Sequence, residues 1–318
     1  MTARYSVVIS TYNQRDLLLR VLRAINAQDA PELLHEVIVV DDGSSDGTVA
    51  ALGELELSCP LRVLQTQRVG PAGARNVGAQ VASGEYLLFL DHDVEPTPQL
   101  LRKHHQRRST SDERHCVAGP VDWPPDADVT HFMRFITAHY TFGPQALEGA
   151  SELPFSQFAT GNFSIARGLF WEHGGFDPTF PYGFEDTDLG LRLSEAGVAL
   201  LYAPEALGWH LRASDVEAFC RRQEMLGPSA VAFARKHPDH PEVVRLDRLP
   251  RWGSARGALK KLVLNPATRP LWKALAAALS AARLSRAAEA VWSQLLSYHY
   301  YCGIARALAA EGEADKPR

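Results

Sequence analysis

The sequence predicts an α/β protein, a mostly parallel central sheet flanked by helices, with a helical extension at its C-terminal end. Three observations predict it. Over residues 1–120, apolar runs of strand length alternate with segments whose apolar residues recur at helical spacing. Strand-like runs then return around Phe158–Ala166, Gly197–Tyr202 and Ala206–His210. Beyond Ser214 they stop, and Ala- and Leu-rich helical segments take over. The expected organisation is therefore an α/β domain over residues 1–213 and a helical extension over 214–318.

Tyr5-Ser6-Val7-Val8-Ile9-Ser10 reads as a first buried strand, followed by the loop Thr11-Tyr12-Asn13-Gln14 and a helix opened by Asp16, with Leu18, Leu19, Leu22 and Ile25 on one face. Glu36–Val40 is a β-branched run that ends in Asp41-Asp42-Gly43-Ser44-Ser45-Asp46-Gly47-Thr48, where Ser45 or Asp46 can cap the next helix. Leu61–Leu64 is a third strand, and Gly70–Ala79 opens a small-residue helix with Pro71 in its first turn. Tyr86–Leu90, unbroken and apolar, reads as a strand covered on both faces; a turn follows at Pro96, then a helix over 97–108 and a strand over 115–119. From Val121 to Ser156 the periodicity fails and Pro124-Pro125 interrupts it, which predicts an irregular excursion. A short helix over 167–173 ends at Gly174-Gly175, and Leu189, Leu193 and Ala196 mark another helix face. In the extension, Asp215–His237 reads as one amphipathic helix, 238–250 as a linker, and 255–264, 269–282 and 285–310 as helices before a frayed tail.

Chemistry concentrates where strands end in acid. Asp91 and Asp93 stand one residue apart at the carboxyl end of a buried strand, the rim at which open α/β sheets bind ligands. Hard carboxylate oxygens of this kind suit Mg²⁺ or Mn²⁺ holding phosphates, and a solvated Asp-rich turn is the alternative. Glu185 and Asp186 fall at the start of a helix, where its dipole favours their charged forms, and helix capping explains them equally. Arg75, in a helix of small residues, is a surface cation, a partner of acids, or a ligand of a diphosphate. His210 follows a strand directly and is either a packed histidine or a ligand.

Composition narrows the classes. A formal net charge of −4 over 318 residues gives no nucleic-acid footprint, and Arg102, Lys103, Arg107 and Arg108 read as a solvated helix face. Cys59, Cys116, Cys220 and Cys302 stand far apart, which points to buried or free thiols rather than a disulfide framework or zinc site. Tyr5–Ile9 is too short for a signal-peptide core and no apolar run has the length of a membrane span, so a cytoplasmic protein is expected. The Lys/Arg-bearing helices after residue 214 either pack on the sheet domain or rest peripherally on the inner face of a membrane. A Walker loop and a Gly-x-Gly-x-x-Gly turn are both missing from the segment around Gly70.

Taken in order, Val7–Asn13, Val37–Ser44, Gly73-Ala74-Arg75-Asn76, Leu90-Asp91-His92-Asp93 and Phe184–Leu189 resemble the family 2 glycosyltransferases of bacterial type, over residues 5–212. The resemblance implies the GT-A fold, with its Rossmann-like sheet, and a nucleotide-sugar donor. By position, Ser10 and Tyr12 would line the nucleoside pocket, with Thr11 and Asn13 beside them and His92 on the donor side without a ligand role. Asp42 would accept from uracil, which favours a UDP-sugar, and Arg75 would approach the base or the diphosphate. Asp91 would meet the ribose or a metal-bound water, Asp93 would bind Mn²⁺ or Mg²⁺, and His210 would complete the metal shell. Asp186 would be the general base and Glu185 would position hydroxyls, in a metal-dependent displacement that inverts the anomeric centre. The acceptor would be a sugar, glycolipid or small molecule, in the synthesis of polysaccharide, glycolipid or a glycosylated metabolite. Gly161-Asn162-Phe163 and Gly174–Asp177 either border the acceptor or serve packing and turns.

Two other readings compete. One is a catalytically inactive sugar-nucleotide-binding partner or regulator, opposed by the intact acidic clusters. The other is a nucleotidyltransferase, disfavoured because no Gly-rich phosphate loop with a following Lys is present.

Overall fold

The structure, a computed structural model, describes residues 4–110, 114–140, 149–246, 265, 267–310 and 312. The described residues group into two compact units, one from residues within 1–128, 137–181 and 185–212, the other from residues within 129–136, 182–184 and 213–318.

In the first unit, β1 (Tyr5–Thr11), α1 (Arg15–Asn26), β2 (Leu34–Asp41), α2 (Thr48–Gly53), β3 (Leu61–Gln65), α3 (Gly70–Val81) and β4 (Tyr86–Leu90) alternate as the hydrophobic pattern predicts. Then come β5 (Val94–Pro96), α4 (Leu100–Arg108), β6 (His115–Ala118), β7 (Val121–Asp122), β8 (Asn162–Ala166), α6 (Arg167–Glu172), α7 (Glu185–Glu195), β9 (Ala199–Tyr202) and β10 (Gly208–His210); α5 (His131–Tyr140), between β7 and β8 in sequence, has its residues up to Ile136 in the second unit. A seven-stranded sheet runs in the order β3-β2-β1-β4-β8-β6-β9. Its strands pair in parallel except at β8, which is antiparallel to both β4 and β6.

The unbroken apolar runs are explained by helices on both faces. Val8, Ile38, Leu87 and Phe89 pack with Ala72, Ala74, Phe170 and Phe176, whereas Val7, Ile9, Val37, Val39 and Leu88 pack with Leu18, Val21, Leu22, Leu100 and Leu101. The small residues of α3 let that helix lie close on the sheet. A Cβ at Gly78 would stand 2.6 Å from Val8 Cγ1, so any larger residue would push the helix away.

Four sequence expectations change. Val94–Pro96 is a strand rather than a turn, paired antiparallel with β10 in a second, three-stranded sheet. The irregular stretch contains α5, whose Phe132, Met133, Phe135 and Ile136 are buried at helical spacing; Pro124-Pro125 obscured it upstream. Asp215–His237 is two helices, α8 (Val216–Met225) and α9 (Gly227–Lys236), because Pro228 has no N–H to continue a ladder. The basic face of α4 is engaged: Arg102 bonds Asp29, Lys103 pairs with Glu205, Arg107 donates to two carbonyls, and Arg108 is buried over the Tyr86 ring. The helix expected over 255–264, and the tail apart from Gly312, lie outside the described residues. All four cysteines are thiols.

In the second unit, α8 and α9 pack with α11 (Ser285–Ala310), which also packs with α10 (Arg269–Ala281). His131 joins three segments, with Nδ1 2.8 Å from Ser280 Oγ and Nε2 3.0 Å from Glu289, its ring against Trp292.

Under the sheet, fully buried His104 lies 2.8 Å from Asn162 Oδ1 and 2.9 Å from Ser164 Oγ, while Asn162 Nδ2 donates to the carbonyls of Pro120 and Ala206. This network gives Gly161-Asn162-Phe163 a packing role. Burial pushes the His104 imidazole down to about 4, so below neutrality it is neutral in the fold but protonated in the unfolded chain. Its contribution to stability is therefore full above the ordinary histidine pKa and is lost as pH falls towards 4, on the order of 3 kcal/mol in total. In urea titrations across that window, His104→Gln should show a flatter dependence of stability on pH than the wild type.

Candidate active site

The acids meet at the carboxyl rim because parallel strands β1, β2 and β4 all end there. Asp42 is 8% exposed and holds the loop between β3 and α3: it accepts from Thr66 Oγ1 (2.7 Å), Val69 N (2.8 Å) and Gly70 N (2.9 Å). Asn13 binds the neighbouring loop, donating from its N–H to Ser44 Oγ and accepting from Ser45 N, both at 2.8 Å. Thr11 is buried and its carbonyl accepts from Asp42 N, so it shapes the rim through its backbone. His92 Nδ1 donates to the Ser10 carbonyl at 3.2 Å.

Arg75 is the hub. Its Nη2 donates to Asp91 Oδ1 at 2.7 Å and its Nη1 to Glu185 Oε1 at 2.9 Å, with only 9% of its side chain exposed. Of the three roles open to it in the sequence, pairing with acids is the one found. Burial pushes the Asp91 carboxyl up, but the Arg75 charge and hydrogen bond, helped by His92 and His210, hold it below its ordinary value. The next residue fixes the helix: Asn76 donates to the Phe176 carbonyl (2.6 Å) and accepts from Phe176 N (3.0 Å). Gly175, at φ +66°, brings that segment within reach, so Gly174–Asp177 is a turn and packing device around buried Phe176.

Asp93 and His210 converge through the small sheet. Antiparallel pairing puts His210 opposite Val94, and Leu211 N donates to the Asp93 carbonyl at 2.8 Å. Asp93 Oδ2 and His210 Nε2 are 3.8 Å apart, too long for a hydrogen bond and with room for a shared cation. The Trp123 ring stands edge-on to His210 at 5.0 Å and is itself oriented by its Nε1–H, which donates to Thr137. Among the described residues no group of three or more His, Cys, Asp or Glu side chains forms a metal cage. An open pair of this kind matches Mg²⁺ or Mn²⁺, which take one or two protein ligands and fill the rest with phosphate and water. Asp91, drawn to Arg75, stands apart from that pair in bonding.

On α7, Asp188 is tied to Arg192 at 2.7 Å, and Arg192 donates to the carbonyls of His173 and Gly175. Asp186, on the first turn, accepts from Thr187 N at 2.8 Å. Sequence reasoning missed Arg68: its guanidinium lies 3.7 Å from the centroid of the Tyr12 ring and donates to the Tyr12 hydroxyl. It also missed Trp123. No spacing rule marks either residue. A backbone signal does appear for Arg68, which, like Asn13, adopts positive φ in a loop after a strand of the sheet.

A nucleotide-type rim with an acidic centre and a second small sheet defines the GT-A class of glycosyltransferase folds. Solved structures share it. The chain superposes on a mannosyltransferase of Pyrobaculum calidifontis, solved with GDP-Man and Mn²⁺, with a TM-score of 0.63 at 21% identity over 98% of this chain and 88% of that one. It superposes on residues 1–349 of Staphylococcus aureus TarS, solved with UDP, with a TM-score of 0.54 at 17% identity over 97% and 92%. Residues 6–174 match Glycosyl transferase family 2, and the chain belongs to that family. It is 30% identical to validoxylamine A glucosyltransferase of Streptomyces hygroscopicus subsp. limoneus (73% of this chain, 56% of that protein). It is 30% identical to pre-mycofactocin glycosyltransferase of Mycobacterium tuberculosis (72% and 50%). The chain thus spans about half the length of these relatives.

The role of Asp42 as a loop clamp is open to direct measurement. Each hydrogen bond to its carboxylate is worth about 1.5–3 kcal/mol, so Asp42→Ala should speed hydrogen exchange at the Val69 and Gly70 amides by about tenfold or more.

Proposed function

We propose that residues 1–213 form the catalytic domain of a hexosyltransferase. It would move a sugar from a nucleotide-diphosphate donor, UDP-hexose in preference to GDP-hexose, to an acceptor hydroxyl with inversion. The observation that carries this reading is the Asp93–His210 pair beside Asp91 at the sheet rim. Hexose is favoured because validoxylamine A glucosyltransferase, 30% identical to this chain, is named for glucosyl transfer. UDP is favoured by Asp42: three donors use three of the roughly four lone-pair positions of its carboxylate, and one remains to accept from a base.

In this mechanism Asp93 and His210 would hold Mn²⁺ or Mg²⁺. The ion, when bound, supplies Lewis-acid stabilisation of the leaving diphosphate. Tyr12 presents its ring to the base once Arg68 moves off it, and Ser10 lies at the end of the adjoining strand. Asp91, held ionised by Arg75, accepts from the donor ribose. Asp186 takes the proton of the acceptor hydroxyl during a single in-line displacement, a contribution of about 10²–10⁴-fold. Glu185 fixes the first turn of the helix that carries it.

Residues 214–318 would bring the enzyme to a membrane-borne acceptor. Among the described residues no helix is long and apolar enough to cross a membrane. Leu271, Leu275 and Leu284 are 71%, 43% and 54% exposed, beside exposed Lys273, Arg283 and Arg286, a combination that suits peripheral contact with anionic lipid. A cytoplasmic enzyme at the inner membrane face, serving polysaccharide, glycolipid or metabolite glycosylation, follows from that reading.

Calorimetric titration of UDP and GDP, with Mn²⁺ and with EDTA, tests the donor side. Binding of UDP should require metal and disappear in Asp93→Ala, and metal-independent binding would falsify the assignment of the pair. With a turned-over donor, Asp186→Asn should lose about 10²–10⁴-fold in kcat while its affinity for UDP stays at the wild-type level. For the extension, flotation with liposomes containing phosphatidylglycerol should carry the protein upwards, and Leu271→Glu with Leu275→Glu should leave it in the bottom fraction.

A further inference from the structure

We propose that Arg75 is a positioning residue for the transfer step: it locks the donor-side strand end, through Asp91, to the first turn of α7, where the general base stands, and does not ligate the donor phosphates. This rests on the reading of the site as a nucleotide-sugar transferase with Asp186 as base.

The bonding is the first ground. The two terminal nitrogens of the guanidinium are directed to different elements, Nη2 to Asp91 after β4 and Nη1 to Glu185 on α7. A planar fork can hold two carboxylates at a fixed separation, which a lysine ammonium cannot do. Burial is the second ground. Arg75 is 7% exposed and Glu185 5%, so that half of the bridge lies beneath the rim, while the Asp91 side chain, 36% exposed, reaches the rim itself. The third is that α3 is anchored where the lock needs it. Gly78 seats the helix on β1, and Asn76 binds the Phe176 backbone in both directions.

The helix receiving the lock is held from a second side as well. Arg192 joins Asp188 to the carbonyls of His173 and Gly175, one turn further along α7. Glu185 and Asp188 are thus both engaged by arginines, and Asp186 lies between them on the turn so defined. A buried ion pair adds little net stability against an apolar core, so three charges retained here fit a requirement for geometry. Displacement of a reacting group by about 1 Å can cost about 10²-fold in rate, which sets the size of the effect.

The test uses the full chain with Mn²⁺, in wild type, Arg75→Gln, Arg75→Lys and Glu185→Gln. UDP affinity is read by calorimetry, and release of UDP from UDP-glucose, UDP-galactose or UDP-N-acetylglucosamine, or of GDP from GDP-mannose, gives kcat and KM for whichever donor the wild type turns over. Expected is a UDP dissociation constant within about threefold of wild type in Glu185→Gln, which keeps the Arg75–Asp91 bond, and a weakening of at most about tenfold in the Arg75 variants, which release Asp91. Expected too is a loss of about 10²-fold in kcat in Arg75→Gln and Glu185→Gln, at unchanged donor KM in Glu185→Gln, with a partial rescue of about tenfold in Arg75→Lys. If Arg75→Gln fails to fold, Glu185→Gln cuts the same link from the other end at smaller structural cost. Weakened UDP binding in the Arg75 variants with saturated kcat preserved overturns the proposal in favour of a phosphate contact. Unchanged kcat in folded variants overturns it in favour of a merely structural pair. A wild type that neither binds UDP nor releases it from any donor defeats the transferase reading itself, a distinct outcome.

Discussion

A guanidinium buried between two carboxylates organises this molecule. Arg75 comes from one helix, Asp91 from the end of the central strand and Glu185 from the start of another helix, and the two contacts fix three elements by directional bonds. Placing those charges away from water is costly, and each is tolerated because the others are there. The surroundings follow from that requirement. The small residues of α3 bring the arginine close to the sheet, and the Phe89–Phe170–Phe176 aromatic cluster covers its base. The rim keeps Asp93 outside this bridge, 3.8 Å from His210.

The same economy appears in the loops. Residues at the strand ends also hold their surroundings: Asp42 and Asn13 bind neighbouring loops, and His92 bonds the end of β1. The loops beside the rim are therefore pinned. Tyr12 differs, since the group covering its ring, Arg68, is exposed and can move.

Much of this was legible in the sequence because burial leaves a local mark. A strand covered on both faces must be apolar at every position, so Tyr86–Leu90 announced itself, and the acids that end it stood out against that run. The family motifs located the rim in the same way. What could not be read was long-range bonding. Nothing local shows that Asp42 takes up the amides of Val69 and Gly70, that Asn162 is a core residue holding His104, or that Arg75 finds two acids. Val94–Pro96 carries too little pattern, at three residues, to mark it as a strand, and its identity as one comes from its partner β10. α5 was hidden by the prolines before it, although its four buried residues carry a helical period. The break between α8 and α9 was visible in Gly227-Pro228 and yielded to the stronger apolar periodicity around it.

The pairing of β10 with β5 has a consequence for how the protein is made. The partners of the central lock are 110 residues apart in sequence, and the last strand that shapes the rim ends at His210. A nascent chain leaving the ribosome therefore has its first four parallel strands well before it has a site. Until β10 has emerged and added to the edge of β5, Asp93 has no contact with His210. Contacts of such long range form late and slowly, because the intervening loop must be closed first. Incomplete translation products that stop short of β10 would then carry the first parallel strands without the Asp93–His210 pair.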